Sequence, residues 1–211
     1  MIELFTSAFI TLAVIVDPPG CAPIFASLTG GASAAERRRM AVRSCVVAWC
    51  ILMFFALFGE ALLTHLGVSL SAFRLAGGIM LFMIALDMVF ERRTERREER
   101  AEEIKGTPEA EDVSIFPMAI PMIAGPGSIA SVMLLNARAE GMQESLVVLG
   151  AMTLVIVLTL VALLAAGPLM RFVGAKVEAM ITRILGVILA ALATQFVLDG
   201  LGRSLPGLAG S

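Results

Sequence analysis

Long apolar runs separated by short polar connections dominate this sequence. Six of the runs have about twenty residues or more, the length that an α-helix needs to cross a hydrocarbon layer of about 30 Å. They cover residues 4–28, 42–63, 70–90, 115–136, 146–167 and 179–199. The pattern therefore predicts an all-α membrane protein with six transmembrane helices.

The first of these runs contains residues that interrupt a helix. Asp17-Pro18-Pro19-Gly20 lies in its middle, and Pro23 follows closely. Proline has no amide hydrogen, so Pro18 and Pro19 leave the carbonyls four residues earlier without their helical donors. Such carbonyls are costly in hydrocarbon, and irregular backbone persists there only beside a cavity or a protein partner. We expect the first span to be broken at Asp17.

The fourth run has the same kind of punctuation. Pro117 and Pro121 precede Gly125-Pro126-Gly127-Ser128, so this span is also expected to be broken. Each break supplies the start of a helix, whose amides and dipole favour negative charge, next to carbonyls that accept hydrogen bonds. A small zwitterion such as an amino acid needs both kinds of group, whereas a bare cation would use the carbonyls and Asp17.

The candidate substrate-binding residues are those at the two interruptions. A carboxylate at span depth costs at least ~2.5–3.5 kcal/mol on insertion scales and usually marks an ion or substrate pathway. Asp17 is therefore the most informative single residue, although capping of the restarted helix is a second role open to it. The full set is Asp17, Pro18, Gly20, Gly125, Pro126, Gly127 and Ser128.

Charge is concentrated in one segment. Of the 34 charged residues, 15 lie between positions 91 and 112, which leaves 19 for the other 189 residues. This distribution is too sparse for the surface of a soluble enzyme, and a net charge of −2 without a basic face argues against a nucleic-acid partner. The three cysteines and the single histidine have no metal-ligand spacing. We expect no catalytic residues, no metal and no cofactor.

The charged segment divides the chain into two related halves. A shift of 108 places Asp17-Pro18-Pro19-Gly20 over Gly125-Pro126-Gly127-Ser128, and a shift of 109 places Arg74 and Gly77 over Arg183 and Gly186. We expect a three-span repeat at 1–90, a charged cytoplasmic linker at 91–112 that extends the third span as a helix, and a second three-span repeat at 113–211. Because each repeat has an odd number of spans, the two are inverted, as in many transporters.

Basic residues near the spans predict the orientation. The connections after the first, third and fifth spans carry 12 Lys and Arg, against 3 on the opposite side. Since positively charged loops stay in the cytoplasm, both termini are expected on the periplasmic or extracellular side of a bacterial inner membrane.

Three motifs in order resemble those of one family. Residues 16–25 (VDPPGCAPIF) resemble the first-span D/N-P-x-G-x-x-P-x-F signature of the MarC-like membrane proteins, and residues 73–81 (FRLAGGIML) are similar to that family's third-span motif. Residues 117–128 (PMAIPMIAGPGS) are similar to its P-x-A-x-P-x-x-x-G-P-G motif. The resemblance implies a six-span inner-membrane protein and, for characterised members, transport of small neutral amino acids such as glycine and alanine.

The sequence leaves several functions open. The first is a secondary transporter of a small zwitterion, coupled to H⁺ or Na⁺, with the two interruptions as its site. The alternative is an exporter of a cation or other small solute with no amino acid activity. A thiol redox carrier is the weakest reading, because the repeat equivalent of Cys21 is Ile129 and no cysteine follows Cys50.

Overall fold

The computed structural model describes residues 1–104 and 112–204, and within these ranges the chain is helical and has no β-strand. Residues 105–111 of the predicted linker and residues 205–211 of the second predicted repeat lie outside the described residues. In chain order the helices are α1 (Ile2–Val16), α2 (Pro18–Leu28), α3 (Ala34–His65), α4 (Leu70–Val89), α5 (Arg92–Ile104), a π-type helical segment (Ser114–Ile123), α6 (Pro126–Asn136), α7 (Met142–Leu164) and α8 (Ala166–Ser204).

Five stretches are long and apolar enough to cross a membrane. They are Ile2–Leu28, which comprises α1 and α2, then α3, α4, α7 and the part of α8 from Met180 to Gly202. A sixth is formed if Ser114–Ile123 and α6, which meet at a bend of 53°, count as one span. The prediction of an all-α membrane protein is thereby confirmed.

The outer surface of the bundle is apolar. In α3, for example, Val46, Phe54 and Phe58 each expose more than half of their surface, and just 28% of its most apolar window is buried. Large apolar surfaces of this extent are not tolerated in water but are normal against lipid tails. The composition of the chain therefore matches a surface solvated by hydrocarbon.

Helices α4 and α8 pack closely and antiparallel. A methyl group added to Gly78 of α4 would lie 2.9 Å from the carbonyl oxygen of Ala193, and one added to Gly186 of α8 would lie 3.1 Å from that of Ala85. Residues early in α4 thus contact residues late in α8, and residues late in α4 contact residues early in the membrane-length part of α8. The absence of a side chain at these two positions lets the helix backbones approach each other.

The first span lies at the centre of the bundle. Its most apolar window is 67% buried, the largest share among the five stretches. Helix α1 packs against α6, α7 and α8, and α2 packs against α7, α8 and α5. Helix α3 packs against Ser114–Ile123, α6 and α7 on the other side. This arrangement places the junction of α1 and α2 deep inside the protein.

The start of the charged segment is folded back onto the bundle, and the expected helical extension of the third span is not formed. Helix α4 ends at Val89, and Glu91 turns the chain with a φ of 62°. A left-handed residue one or two positions after a helix is a common way of ending it. Helix α5 then starts at Arg92 and packs against α4 and α2. The reason is electrostatic, since arginines of α5 find buried partners at the first span.

Candidate functional site

Asp17 forms the junction between α1 and α2. Its backbone is left-handed, with φ 58° and ψ 66°, so α1 stops at Val16 and α2 starts at Pro18. The Asp17 carboxylate accepts a hydrogen bond from the amide of Gly20 at 3.2 Å and so caps α2. Asp17 is 2% exposed. The capping role that the sequence left open is therefore present, and it leaves the second carboxylate oxygen for another partner.

That partner is Arg97 of α5. Its guanidinium donates to the Asp17 carboxylate at 3.1 Å, and the two side chains are 11% and 3% exposed. A carboxylate buried in a membrane bundle is stabilised by a charged hydrogen-bond donor of this kind. Asp17 is thus held from two sides, by its own helix and by α5.

Arg93, one turn earlier on α5, pairs with the interrupted backbone itself. It donates to the carbonyl oxygen of Ile15 at 2.5 Å, which is the carbonyl that Pro19 leaves without a helical donor. Burial, followed by the positive charge of Arg97, lowers the pKa of Arg93 to about 10, so Arg93 remains charged at neutral pH. The charge of α5 therefore compensates the backbone defect at the first interruption.

The second interruption is an irregular stretch that precedes α6. Phe116 and Ile120 have extended backbone angles inside Ser114–Ile123, as expected for residues that precede a proline. Gly125 caps α6 and is a necessary glycine, because a methyl group there would lie 2.4 Å from the carbonyl oxygen of Pro121. The bend of 53° between the two helical pieces is located here.

The two interruptions are neighbours in space. A methyl group added to Gly127 would lie 2.6 Å from the Cδ1 atom of Ile84 and 3.4 Å from the Cγ2 atom of Ile15. Ile15 is the residue whose carbonyl binds Arg93. The start of α6 therefore lies against the end of α1, with α4 beside both.

A cavity of about 370 Å³ opens where these elements meet. Its wall has contributions from α1, α4, α5 and the second interruption. The residues are Ile15, Met80, Met83, Ile84, Asp87, Arg93, Arg96, Arg97, Pro121, Met122, Gly125, Pro126, Gly127 and Ser128. The cavity thus combines an apolar wall with a cluster of charged groups and the start of a helix.

The structure places the predicted residues in two groups. Gly125, Pro126, Gly127 and Ser128 line the cavity directly. Asp17 reaches it through Arg97, which is both a wall residue and the ion-pair partner of Asp17. Pro18 and Gly20 are buried behind Asp17 at the first turn of α2 and are not among the lining residues.

The cavity is electropositive. Its wall carries three arginines and one aspartate, Asp87, which pairs with Arg96. With Asp17 added, one positive charge remains in excess, that of Arg93. The described residues contain no group of three or more His, Cys, Asp or Glu that could hold a metal ion. This charge balance is electrostatically favourable for an anionic group such as a carboxylate.

Arg93 and Arg97 are the residues that sequence reasoning missed. The 91–112 segment has charges of both signs in almost every turn, which is typical of a solvated helix. The available signal was the spacing of four between these arginines, which puts them on one face of α5 together with Ala101. Ala101 is 2% exposed, whereas most neighbouring glutamates face solvent.

Comparison with known proteins places the chain in a family. The family described as MarC family integral membrane protein matches residues 2–205. The chain is 35% identical over 204 residues to a UPF0056 membrane protein of Methanocaldococcus jannaschii, covering 97% of this chain and 98% of that protein. It is 33% identical over 208 residues to the UPF0056 membrane protein YvbG of Bacillus subtilis, covering 99% of both. It is also 33% identical over 201 residues to the UPF0056 inner membrane protein YhgN of Escherichia coli, covering 95% and 98%.

No solved structure matches the chain. The family match extends over nearly the whole length and includes both interruptions, the charged helix α5 and all the membrane-length helices. The resemblance that the three motifs indicated is confirmed. This chain belongs to the MarC family of integral membrane proteins.

Proposed function

We propose that this protein is an inner-membrane secondary transporter of small neutral amino acids such as glycine and alanine. The observation that carries the proposal is the cavity of about 370 Å³ in which the start of α6, three guanidinium groups and the Asp87 carboxylate meet. Its volume lies at the small end of the range for ligand pockets, about 300–1,000 Å³. A small zwitterion fits both its size and its charges.

The chemistry of the wall favours a zwitterion over a bare cation. A carboxylate can bind guanidinium groups and the first amides of α6, where the helix dipole is positive. An ammonium group can bind Asp87 by displacing Arg96, the arginine that pairs with Asp87 in the same wall. An exported cation would meet a net positive wall, so the cation alternative is disfavoured. The competing possibility is that the protein transports another small anionic or zwitterionic solute and no amino acid. The experiment below distinguishes the two.

The pairing of helices supports two inverted repeats. In the proposed repeat, α1 corresponds to Ser114–Ile123, α2 to α6, α3 to α7 and α4 to α8. The contact of α1 with α7 then matches that of Ser114–Ile123 with α3, and the contact of α2 with α7 matches that of α6 with α3. Helices α2 and α8 are in contact, as are α6 and α4. A twofold axis in the membrane plane would produce these matched pairs and would also make α4 and α8 antiparallel neighbours. Rocking of one half against the other would then expose a site between them alternately.

The location of the family members supports the membrane assignment. The relative YhgN is described as an inner membrane protein, and we propose the same membrane for this chain. By the distribution of basic residues, α5 and the mouth of the cavity beside it face the cytoplasm, and both termini face the opposite side. The partners in this proposal are the lipid bilayer and a small zwitterionic solute, with H⁺ or Na⁺ as the coupling ion.

Uptake into liposomes tests the proposal. The purified protein should accumulate labelled alanine or glycine when a proton or sodium gradient is imposed, and unlabelled alanine should compete. Asp17→Asn should abolish coupling to the gradient. Asp199→Asn is a matched control, because Asp199 pairs with Arg138 away from the cavity, and uptake should be retained. Absence of uptake for either amino acid under both gradients would contradict the proposal.

A further inference from the structure

Helix α5 docks on the membrane helices through charged groups. Its buried face consists of Arg93, Arg97 and Ala101, at a spacing of four residues. A helix that is permanently part of a bundle usually buries an apolar stripe. Here the two long side chains of the buried face are arginines, whose charges are fully solvated again once the helix leaves. Undocking α5 therefore separates charged groups and the small side chain of Ala101 from the bundle, and no large apolar side chain of α5's own buried face.

The two arginines occupy groups that a ligand or ion would need. Arg97 neutralises the Asp17 carboxylate at 3.1 Å, and Arg93 donates to the Ile15 carbonyl at 2.5 Å. The guanidinium of Arg97 thus fills the position of a cation at the first interruption. While α5 is docked, an ammonium group or a coupling ion has no access to Asp17.

The connection to α4 is built as a turn that can act as a hinge. Glu91 has a φ of 62°, a conformation that costs free energy for a residue with a side chain and that is usually taken by glycine. Its carboxylate pairs with Arg183 of α8, and both side chains are substantially exposed. A second ion pair, between Arg96 of α5 and Asp87 of α4, also joins the two sides of the turn. Both pairs are exposed on at least one side, and such pairs contribute little to stability.

We propose that α5 is a gate over the first interruption, closed by the Arg97–Asp17 ion pair and by the bond from Arg93 to Ile15. Opening of the gate separates Arg97 from Asp17, hydrates both charges and makes the junction of α1 and α2 accessible from the side of α5. A solute ammonium group or a coupling cation then competes with Arg97 for the carboxylate. The identity of the solute that passes the gate rests on the proposed function, whereas the movement of α5 does not.

Thiol labelling of the full-length protein tests the gate without any substrate. The first probe is Ala101→Cys in a background with the three native cysteines changed to alanine, which reports on docking of α5. The second is the native Cys21, which is 0% exposed and lies four residues after Asp17, in a background with Cys45→Ala and Cys50→Ala. Both are treated with a water-soluble maleimide in detergent, with and without Arg97→Ala.

Arg97→Ala should make both probes react roughly tenfold faster. This increase corresponds to a weakening of α5 docking by about 1.4 kcal/mol. Arg92→Ala, which removes an exposed arginine of the same helix, should leave both rates unchanged. Asp17→Asn breaks the same pair from the other side and replaces Arg97→Ala if that variant is not monodisperse. Unchanged rates at both probes in a folded variant would overturn the proposal.

A result in which Arg97→Ala changes the reactivity of one probe and not of the other also tests the gate. If Ala101→Cys becomes reactive while Cys21 stays protected, α5 undocks without opening the first interruption, and it is not a gate. Because no amino acid is added, failure here leaves the transport proposal intact. Conversely, a negative uptake assay combined with faster labelling would leave the gate in place and remove the substrate.

Discussion

The Arg97–Asp17 ion pair gives the sharpest energetic prediction. Its side chains are 11% and 3% exposed, so each charge is largely removed from water. Loss of one partner of a buried pair costs about 3–5 kcal/mol, because the other charge is left uncompensated. Asp17 keeps the hydrogen bond from the Gly20 amide, and α5 can leave the bundle. We therefore expect Asp17→Asn or Arg97→Gln to lower the free energy of unfolding by about 3 kcal/mol, the low end of that range.

The double variant should recover much of this loss, since both charges are then absent. We expect a coupling energy of about 2 kcal/mol from the double-mutant cycle. The pair Arg96–Asp87 provides a matched control in the same cavity wall, because its side chains are 66% and 22% exposed. Exposed ion pairs contribute less than about 1 kcal/mol, so its cycle should give a coupling at or below this value.

The free energy of unfolding can be followed in mixed micelles by titration with sodium dodecyl sulfate. The chain has one tryptophan, Trp49, and its indole donates to the Thr153 hydroxyl at 3.0 Å across α3 and α7. Its fluorescence therefore reports the packing of the two halves without a label. Equal coupling energies for the buried and the exposed pair would refute the burial of charge at Asp17.

Further predictions concern the glycines and the tryptophan. Gly125→Ala should destabilise the protein by about 2–3 kcal/mol and reduce uptake, because the new methyl group meets the Pro121 carbonyl at 2.4 Å. Gly150→Ala, in a helix with open space around the position, should stabilise it by about 0.5–1 kcal/mol, as measured by the same titration. Trp49→Phe should cost about 1 kcal/mol and lower the melting temperature through loss of the bond to Thr153; an unchanged melting temperature would contradict this contact.

The local features of the fold follow from the sequence because they depend on neighbouring residues. Two prolines after Asp17 determine which carbonyls lose their donors, and the Ile15 carbonyl is indeed bound by a side chain. The glycine at position 125 is required by the close approach of the Pro121 carbonyl. Apolar runs of membrane length specify the helices in the same direct way.

The role of α5 could not be predicted in this way. Its position depends on the turn at Glu91, where the sequence offers no glycine to signal a left-handed residue. Without that turn, the arginines of 91–112 belong to a solvated extension of the third span. The pairings of Arg93 and Arg97 join residues about eighty positions apart, and a single sequence contains no periodicity that reports such contacts.

Accessibility of Ser128 from both sides of the membrane tests the central claim most directly. Ser128 lies in the cavity wall and is 2% exposed, and Ser131 on the same helix is buried but is not a wall residue. In a cysteine-less background, Ser128→Cys should react with a membrane-impermeant thiol reagent both in right-side-out and in inverted vesicles, while Ser131→Cys stays protected. Reaction of Ser128→Cys from one side alone, or from neither, would contradict alternating access through this cavity.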